Sequence, residues 1–468
     1  MKLFFYNTMG RTIQEFKPLQ QGKVGFYACG PTVYNYAHIG NLRTYVFEDL
    51  LRRVMEYSGL KVNHVMNITD VGHLTDDADE GEDKMVKSAR ETGRTVWDIA
   101  RHYTEAFFTD TDKLNIKRPS ISCAATDHID DMIALVKRLE EKGFTYAAGG
   151  NLYFDISRFP EYGKMALLDR QELQAGARID VDTNKRNPGD FVLWFTNSKF
   201  ENQTMQWDSP WGRGYPGWHL ECSAMSMKYL GETFDIHCGG VDHIPIHHTN
   251  EIAQSEGATG KTWVNYWLHG EFLLLKKQKM SKSSGSFLTL SVLEEKGYDP
   301  LDYRYFCLGG HYRSQLVFSE ESLGAAKVAR KNLNERILKL KEEASPAGRN
   351  DLGEAAAYLA RFEEHIAQDL GIPRALSELW GLIKDADLSA AEKLGAACEM
   401  DRIFGLKLRD LKREEREHDP EIDALVEERQ QARKARDFAR ADEIRDLLSA
   451  RGISIRDTPE GAVWSRNG

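Results

Sequence analysis

Two short runs in this chain carry residue types that handle phosphate. Lys279-Met280-Ser281-Lys282-Ser283 sets two lysines three apart on a serine-rich stretch, and His38-Ile39-Gly40-Asn41 sets an imidazole beside a glycine. Lysines so spaced can clamp a polyphosphate as point charges, and glycine lets a phosphate approach the backbone closely. A pentacovalent phosphorus gathers negative charge, and fixed cationic donors stabilise that charge more than they stabilise the ground state. Each run alone reads equally well as solvated surface or as a turn. Together, in this order and far apart in the chain, they point to attack at the α-phosphate of ATP.

A second set of residues could hold a metal. In His247-His248-Thr249-Asn250-Glu251, His247 and Glu251 lie four apart. On a helix they share a face, one turn from each other, and could ligate one zinc ion with two more ligands from elsewhere. His248, about a hundred degrees around the helix, is expected to point away. Cys29 ends an early strand beside the phosphate turn, and Cys222 stands where the same fold resumes. Strand ends converge on one crevice in a doubly wound sheet, so all four could meet there. A surface His/Glu pair and two core thiols are the competing reading, and spacing alone leaves both open.

The elements that must position these residues are legible in outline. Lys23 to Cys29 reads as a short buried strand, broken by Gly30-Pro31-Thr32. From Leu42 to Tyr57, Val46, Leu50, Leu51 and Val54 recur at helical spacing, and Val62 to Ile68 reads as a second strand. Strand, glycine turn, helix and strand form a βαβ unit with a nucleotide site at the helix N-terminus. Pro119 to Trp207 reads as an insertion, with a strand at Leu152 to Ile156 and turns at Asn184 to Asp190. The nucleotide fold resumes near Trp218, with Phe234 to His237 as a core strand and Gly239-Gly240 as its turn. Beyond Pro300 the pattern is helical, over Lys327 to Lys341 and Ala355 to Leu370, with a break at Ser345 to Gly348. Ile422 to Leu448 reads as a helical pair carrying Arg429, Arg433, Lys434, Arg436, Arg440 and Arg445, followed by a strand at Ile453 to Ile455.

Bulk properties narrow the class. The 468 residues, 41% hydrophobic and 29% charged, suit a soluble globular chain of several domains. No run of about 18 apolar residues suggests a membrane span, and the N-terminus has no apolar stretch of signal-peptide length, so a cytoplasmic protein is expected. Six scattered cysteines do not resemble a disulfide framework. A net charge of −10 argues against a nucleic-acid binder that uses its whole surface, but not against a local basic path.

The chain resembles the cysteinyl-tRNA synthetases, a family of class I aminoacyl-tRNA synthetases. The likeness runs through Tyr27 to Tyr34, His38 to Asn41, Asn67 to Asp70, Gly217 to Met225, Asp235 to His237 and Gly239 to Asp242. It continues in His247 to Ser255, Lys279 to Ser283 and Asp457 to Trp464. There are departures. Asn41 stands where histidine is the common form, and Val71 to Met85 replaces the usual acidic run with a longer acidic loop, expected to be solvated.

The resemblance implies an α/β fold: a Rossmann-type doubly wound parallel sheet interrupted by an insertion, then a helical bundle and a small α+β C-terminal domain. It divides the chain into 1–118 and 207–270 (the halves of the catalytic domain), 119–206 (the inserted connective domain), 271–322 (a stem-contact region with the lysine loop), 323–412 (the bundle) and 413–468 (a basic anticodon-binding domain). It implies zinc held by Cys29, Cys222, His247 and Glu251, and ATP, accompanied by Mg2+, held by His38, Gly40, Asn41, Gly239, Asp242, Lys279 and Lys282. Lys279 and Lys282 would neutralise the phosphates, and His38 would donate to charge developing at the α-phosphate. Thr69 and Trp218 would wall the cysteine pocket, and Asp242 would contact the adenylate ribose or the substrate ammonium. The expected partners are L-cysteine, ATP and tRNA(Cys), bound by a monomer. The basic tail would contact tRNA phosphates, with Trp464 stacking on an anticodon base. A cysteine:amino-sugar ligase of the mycothiol pathway and a non-catalytic tRNA-binding paralogue are the alternatives. The long basic C-terminal region argues against the first, and intact His38, Lys279 and Lys282 argue against the second.

Overall fold

The computed structural model describes residues 1–71, 93–167, 183–197, 205–275, 288–344, 352–413, 419–458 and 461–466. The chain divides into two compact units, Met1–Asp410 and Leu411–Gly468. The acidic loop Asp76 to Asp83, the break at Ser345 to Gly348, and Lys279 and Lys282 lie outside the described residues.

The first unit is built on a parallel five-stranded sheet in the order Val264–Gly270, Phe234–Gly240, Lys23–Ala28, Lys61–Ile68 and Ile121–Ala124. The chain starts at the centre, builds outward on one side, then returns to build the other. The winding reverses between Lys23–Ala28 and Phe234–Gly240, and such a reversal opens a crevice at the carboxyl ends of those strands. The strands read as apolar runs because helices cover both faces. Val24, Phe26, Tyr27, Val65, Ile236 and Leu268 are all buried. This is the doubly wound α/β architecture expected from the sequence.

Two local readings change. Gly239 and Gly240 do not form a turn; they end the strand itself, paired with His269 and Gly270. Ile121–Ala124, read as part of the insertion, pairs with Lys61–Ile68 as the edge strand of the parallel sheet. This segment is short and broken by Pro119, so its strand character emerges only from a neighbour that supplies the ladder. The antiparallel sheet begins later, in the order Thr145–Ala148, Asn151–Phe154, Phe191–Phe195 and Tyr215–Pro216. The buried Asp190 carboxylate holds the turn before its third strand, accepting from Tyr146 Oη at 2.7 Å and from the Asn187 and Ile156 amides at 2.9 and 3.0 Å.

The helix Ile39–Tyr57 carries the phosphate motif and is fixed at both ends. At its start, His38 Nδ1 accepts the Asn41 N–H (3.1 Å) while Asn41 Oδ1 accepts the His38 N–H (3.2 Å), a reciprocal cap. Further along, the buried Asp49 accepts from Arg304 Nη2 (2.6 Å), Arg53 Nε (2.7 Å) and the Lys117 amide (2.9 Å). Arg304, fully buried, also donates to the carbonyls of Phe404 (2.6 Å) and Leu114 (2.9 Å). One guanidinium thus joins this helix to the helices Pro300–Leu308 and Ala390–Phe404. Gly405 is required beside it: with φ of 64°, a Cβ there would lie 2.8 Å from Arg304 Nη2. The helices Glu320–Glu343, Ala356–Ala367 and Ile372–Lys384 complete the helical region.

The second unit has two helices, Pro420–Lys434 and Phe438–Ala450, and a hairpin of Ile453–Thr458 with Gly461–Arg466. Its small core contains Ile422, Val426, Ile444, Leu448, Ile453 and Trp464. Trp464 is therefore a core aromatic, with Nε1 donating to Asp423 Oδ1 at 2.7 Å, and not a platform for a base. A unit this small needs a large buried side chain to close its core. Arg429 is buried too, and Arg440 is held by Glu428 and Glu443. Exposed instead are Lys434, Arg436 and Phe438, the last at 63%. Among the described residues no helix is long and apolar enough to cross a membrane.

Candidate active site and metal centre

Cys29, Cys222, His247 and Glu251 offer ligand atoms that all lie within 4.8 Å of one another, each side chain buried. Three elements bring them together. Cys29 follows the central strand Lys23–Ala28, and its N–H is held by Cys238 O at 3.1 Å. Cys222 lies in the first turn of the helix His219–Leu230, and His247 and Glu251 lie on the helix His247–Thr259. All three sit at the crevice where the sheet's winding reverses.

The surroundings fit a cation. Glu251 Oε1 lies 2.6 Å from His247 Nε2 yet has no hydrogen-bond partner of acceptable geometry. Two ligand atoms so close, with the carboxylate oxygen unsatisfied in a buried site, are arranged for an ion between them. The other carboxylate oxygen is oriented by His237 Nε2 at 2.7 Å, and His247 Nδ1 lies 2.8 Å from His219 Nδ1. Such outer contacts fix the rotamers of metal ligands.

Protonation follows the same logic. Burial raises the Cys29 thiol well above its usual range, and the neighbouring Cys222 adds to this. Cys222 is lowered: burial opposes ionisation, but the Cys29 thiol and His247 outweigh it. His247 is raised well above the usual imidazole range, because Glu251 and Cys222 overcome its desolvation. Glu251 resists the upward push of burial and falls to about 2 through His247 and His237. Without an ion, Cys29 and His247 therefore keep their protons, and Cys222 is the thiol that ionises more readily.

His248 is a correction. It does not point away but lies fully buried, with Nε2 3.3 Å from Cys29 Sγ. The helix His247–Thr259 is packed on nearly every side, so amphipathic reasoning fails for it. His248 Nδ1 meets His269 Nε2 at 2.8 Å, and His269 Nδ1 meets Thr8 Oγ1 at 2.7 Å. Burial pushes His248 and His269 well below their usual range and His243 down to about 4, so these rings are neutral. Cys29, His237, His248 and Glu251 form a second, overlapping ligand set. The first set faces the site: Cys29, Cys222 and His247 line a cavity of about 320 Å³, whereas His237 and His248 do not.

That cavity also collects the other expected residues. His38, Asn41, Thr69, Trp218, Gly239 and Asp242 all line it. Burial lowers His38, which is neutral at pH 7; with Nδ1 accepting from Asn41, its ring proton resides on Nε2. Gly40 lets that ring lie close, since a Cβ there would stand 2.9 Å from His38 Cε1. Asn41 caps the helix through its side-chain carbonyl oxygen. Thr69 Oγ1 donates to the buried Glu221 at 2.6 Å, and the Trp218 ring lies 4.6 Å from that of His247. Gly239 admits the histidines, because a Cβ there would be 2.6 Å from His243 Nδ1.

Sequence reasoning missed Glu221, the further histidines, and Arg43. Arg43 Nη1 donates to Glu271 O (2.7 Å) and Phe272 O, and Nη2 to Ser314 O and His311 O (3.2 Å). The Ile39 amide donates to Leu288 O at 2.9 Å. The chain entering and leaving 276–287, the stretch containing both lysines, is thereby tied to the first helix. A lone arginine inside a helical pattern carries no sequence mark of this.

Comparison with known proteins gives the family. A family model described as the tRNA synthetases class I (C) catalytic domain matches residues 15–328, and one described as the cysteinyl-tRNA ligase anticodon binding domain matches 415–464. The fold is shared with a Mycobacterium tuberculosis methionyl-tRNA synthetase bound by methionyl-adenylate, at a TM-score of 0.55 and 16% identity over 82% of this chain and 90% of that one. A cysteine–tRNA ligase of Treponema denticola is 55% identical, with 100% of both chains covered. One of Burkholderia lata is 51% identical over 98% of this chain and 96% of its own. The chain belongs to the cysteinyl-tRNA synthetase family of class I aminoacyl-tRNA synthetases.

Metal binding must expel the protons on Cys29 and His247. Zinc added to chelator-treated protein near pH 7 is expected to release at least about two protons per ion, with affinity falling as pH falls. Calorimetry in buffers of different ionisation enthalpy measures this, and release of fewer than one proton would contradict the arrangement.

Proposed function

We propose that this chain activates L-cysteine with ATP and transfers the cysteinyl group to the 3′ end of tRNA(Cys). The observation carrying this reading is the two-thiol, one-imidazole, one-carboxylate cluster facing the cavity that His38 lines. His38 would donate its Nε2 proton to charge developing at the α-phosphate. Lys279 and Lys282 would neutralise the phosphates, with Mg2+ accompanying ATP. Asp242 would meet the ribose or the ammonium from its own flank of the crevice, and Thr69 and Trp218 would wall the side-chain pocket. Thr69 is held for this by Glu221, and Trp218 by its contact with His247.

The ion is inferred to be zinc, because two thiolates, an imidazole and a carboxylate are its common ligands. Zinc so ligated would take the substrate thiolate and favour sulfur over the oxygen of serine, a distinction that shape alone makes poorly. Cys29, Cys222 and His247 are positioned to present such an ion to the cavity, while Glu251 supports it from the buried side. A tRNA substrate supports the expected cytoplasmic location.

Cys222→Ser is expected to lower cysteine-dependent pyrophosphate exchange by about 100-fold or more while leaving the KM for ATP within about 2-fold. Small, equal losses in both would count against the reading. In the second unit, Phe438 beside Lys434 and Arg436 is the exposed aromatic suited to stack on an unpaired base. Phe438→Ala is expected to weaken tRNA(Cys) binding at least about 5-fold with pyrophosphate exchange unchanged. Unaltered tRNA affinity would remove it from the interface.

A further inference from the structure

Tyr36 is 45% exposed, yet it is held in place. It sits between the central strand and the phosphate helix, and it lines the cavity. Its hydroxyl is 3.0 Å from His102 Nε2, and its ring meets that of Tyr103 edge-to-face, with centroids 4.9 Å apart and planes at 90°. Both partners lie on the helix Val96–Lys113, anchored beneath by the buried Val96, Ile99 and Ala100. An aromatic ring that is braced on two sides and still open to solvent is built to receive another flat group. A nucleobase is such a group, and stacking is its most general mode of contact.

The reaction proposed above, on which this inference rests, brings two adenosines to one crevice. One belongs to the adenylate and the other to the tRNA acceptor end. Asp242 follows Phe234–Gly240, on one side of the central strand. Whether it meets ribose or ammonium, it assigns the adenylate to that side. His102 and Tyr103 follow Lys61–Ile68, on the other side. We propose that Tyr36, braced by His102 and Tyr103, is the platform on which the 3′-terminal adenine of tRNA stacks, holding the acceptor ribose beside the activated cysteine. Tyr36 is thus a positioning residue for the transfer step.

The test compares binding of intact tRNA(Cys) with tRNA lacking only its terminal adenosine, and pairs it with both half-reactions. The wild-type enzyme is expected to bind intact tRNA at least about 5-fold more tightly. Tyr36→Ala should abolish that preference and lower kcat/KM for aminoacylation by a similar factor, with cysteine-dependent pyrophosphate exchange unchanged. Tyr36→Phe, which keeps the ring and its contact with Tyr103 but loses the hydrogen bond to His102, should retain part of both. A Tyr36→Ala enzyme that still prefers the intact end would overturn the proposal, and so would a parallel fall in pyrophosphate exchange, which would assign the ring to ATP. If Tyr36→Ala does not fold, His102→Ala, which frees the ring, should give an intermediate loss of the preference; no loss would contradict the proposal. Absence of pyrophosphate exchange in the wild-type enzyme would instead sink the functional reading, independently of the binding comparison.

Discussion

Buried charge is the constraint on which this active site is organised. A thiolate, a carboxylate and an imidazolium cannot sit together out of water unless each is compensated. Glu251 is ionised at 0% exposure and Cys222, at 2%, is biased toward its thiolate; their compensation comes from His237, from His247 and from a site shaped for a cation. The surrounding elements follow from this need. The central strand ends just before Cys29, one helix begins three residues before Cys222, and another begins at His247 itself. All three meet where the winding of the sheet reverses, the place where a doubly wound fold leaves room for a ligand.

A second constraint ties the phosphate chemistry to this cluster. His38 and Cys29 lie at opposite ends of one short connection, so whatever fixes the helix Ile39–Tyr57 also fixes the distance between phosphate and side-chain pocket. The reciprocal cap by Asn41 sets the start of that helix, Arg43 binds the chain flanking 276–287 to it, and Asp49 with Arg304 locks it to the helical region. Breaking a buried pair such as Asp49–Arg304 leaves an uncompensated charge. Damage there would reach the active site without touching it, because transfer chemistry is sensitive to small displacements.

Much of this was legible in the chain, and the failures have physical causes. The parallel strands, the first helix and the His247/Glu251 pair could be read because apolar runs, helix-period and i,i+4 patterns each leave a local mark, whereas the full ligand set with Cys29 and Cys222 was settled by the family resemblance. Ile121–Ala124 was assigned to the insertion because an edge strand beside a proline has little pattern of its own. His248 was placed outside because helical-wheel geometry presumes one solvent face, and its helix has almost none. Trp464 and Arg429 resembled tRNA contacts by composition, yet Trp464 closes the core of this small unit and Arg429 is buried. Arg43 and Glu221 left no trace, because their partners are a few carbonyls and one hydroxyl distant in sequence.

X-ray absorption at the zinc edge tests the central claim most directly, on purified protein alone, with L-cysteine and with L-serine. Cys29, Cys222, His247 and Glu251 should give two sulfur neighbours at about 2.3 Å and two nitrogen or oxygen neighbours at about 2.0–2.2 Å, with a third sulfur appearing only when cysteine is added. An active protein without zinc, or a zinc shell that gains no sulfur at saturating cysteine, would contradict the account.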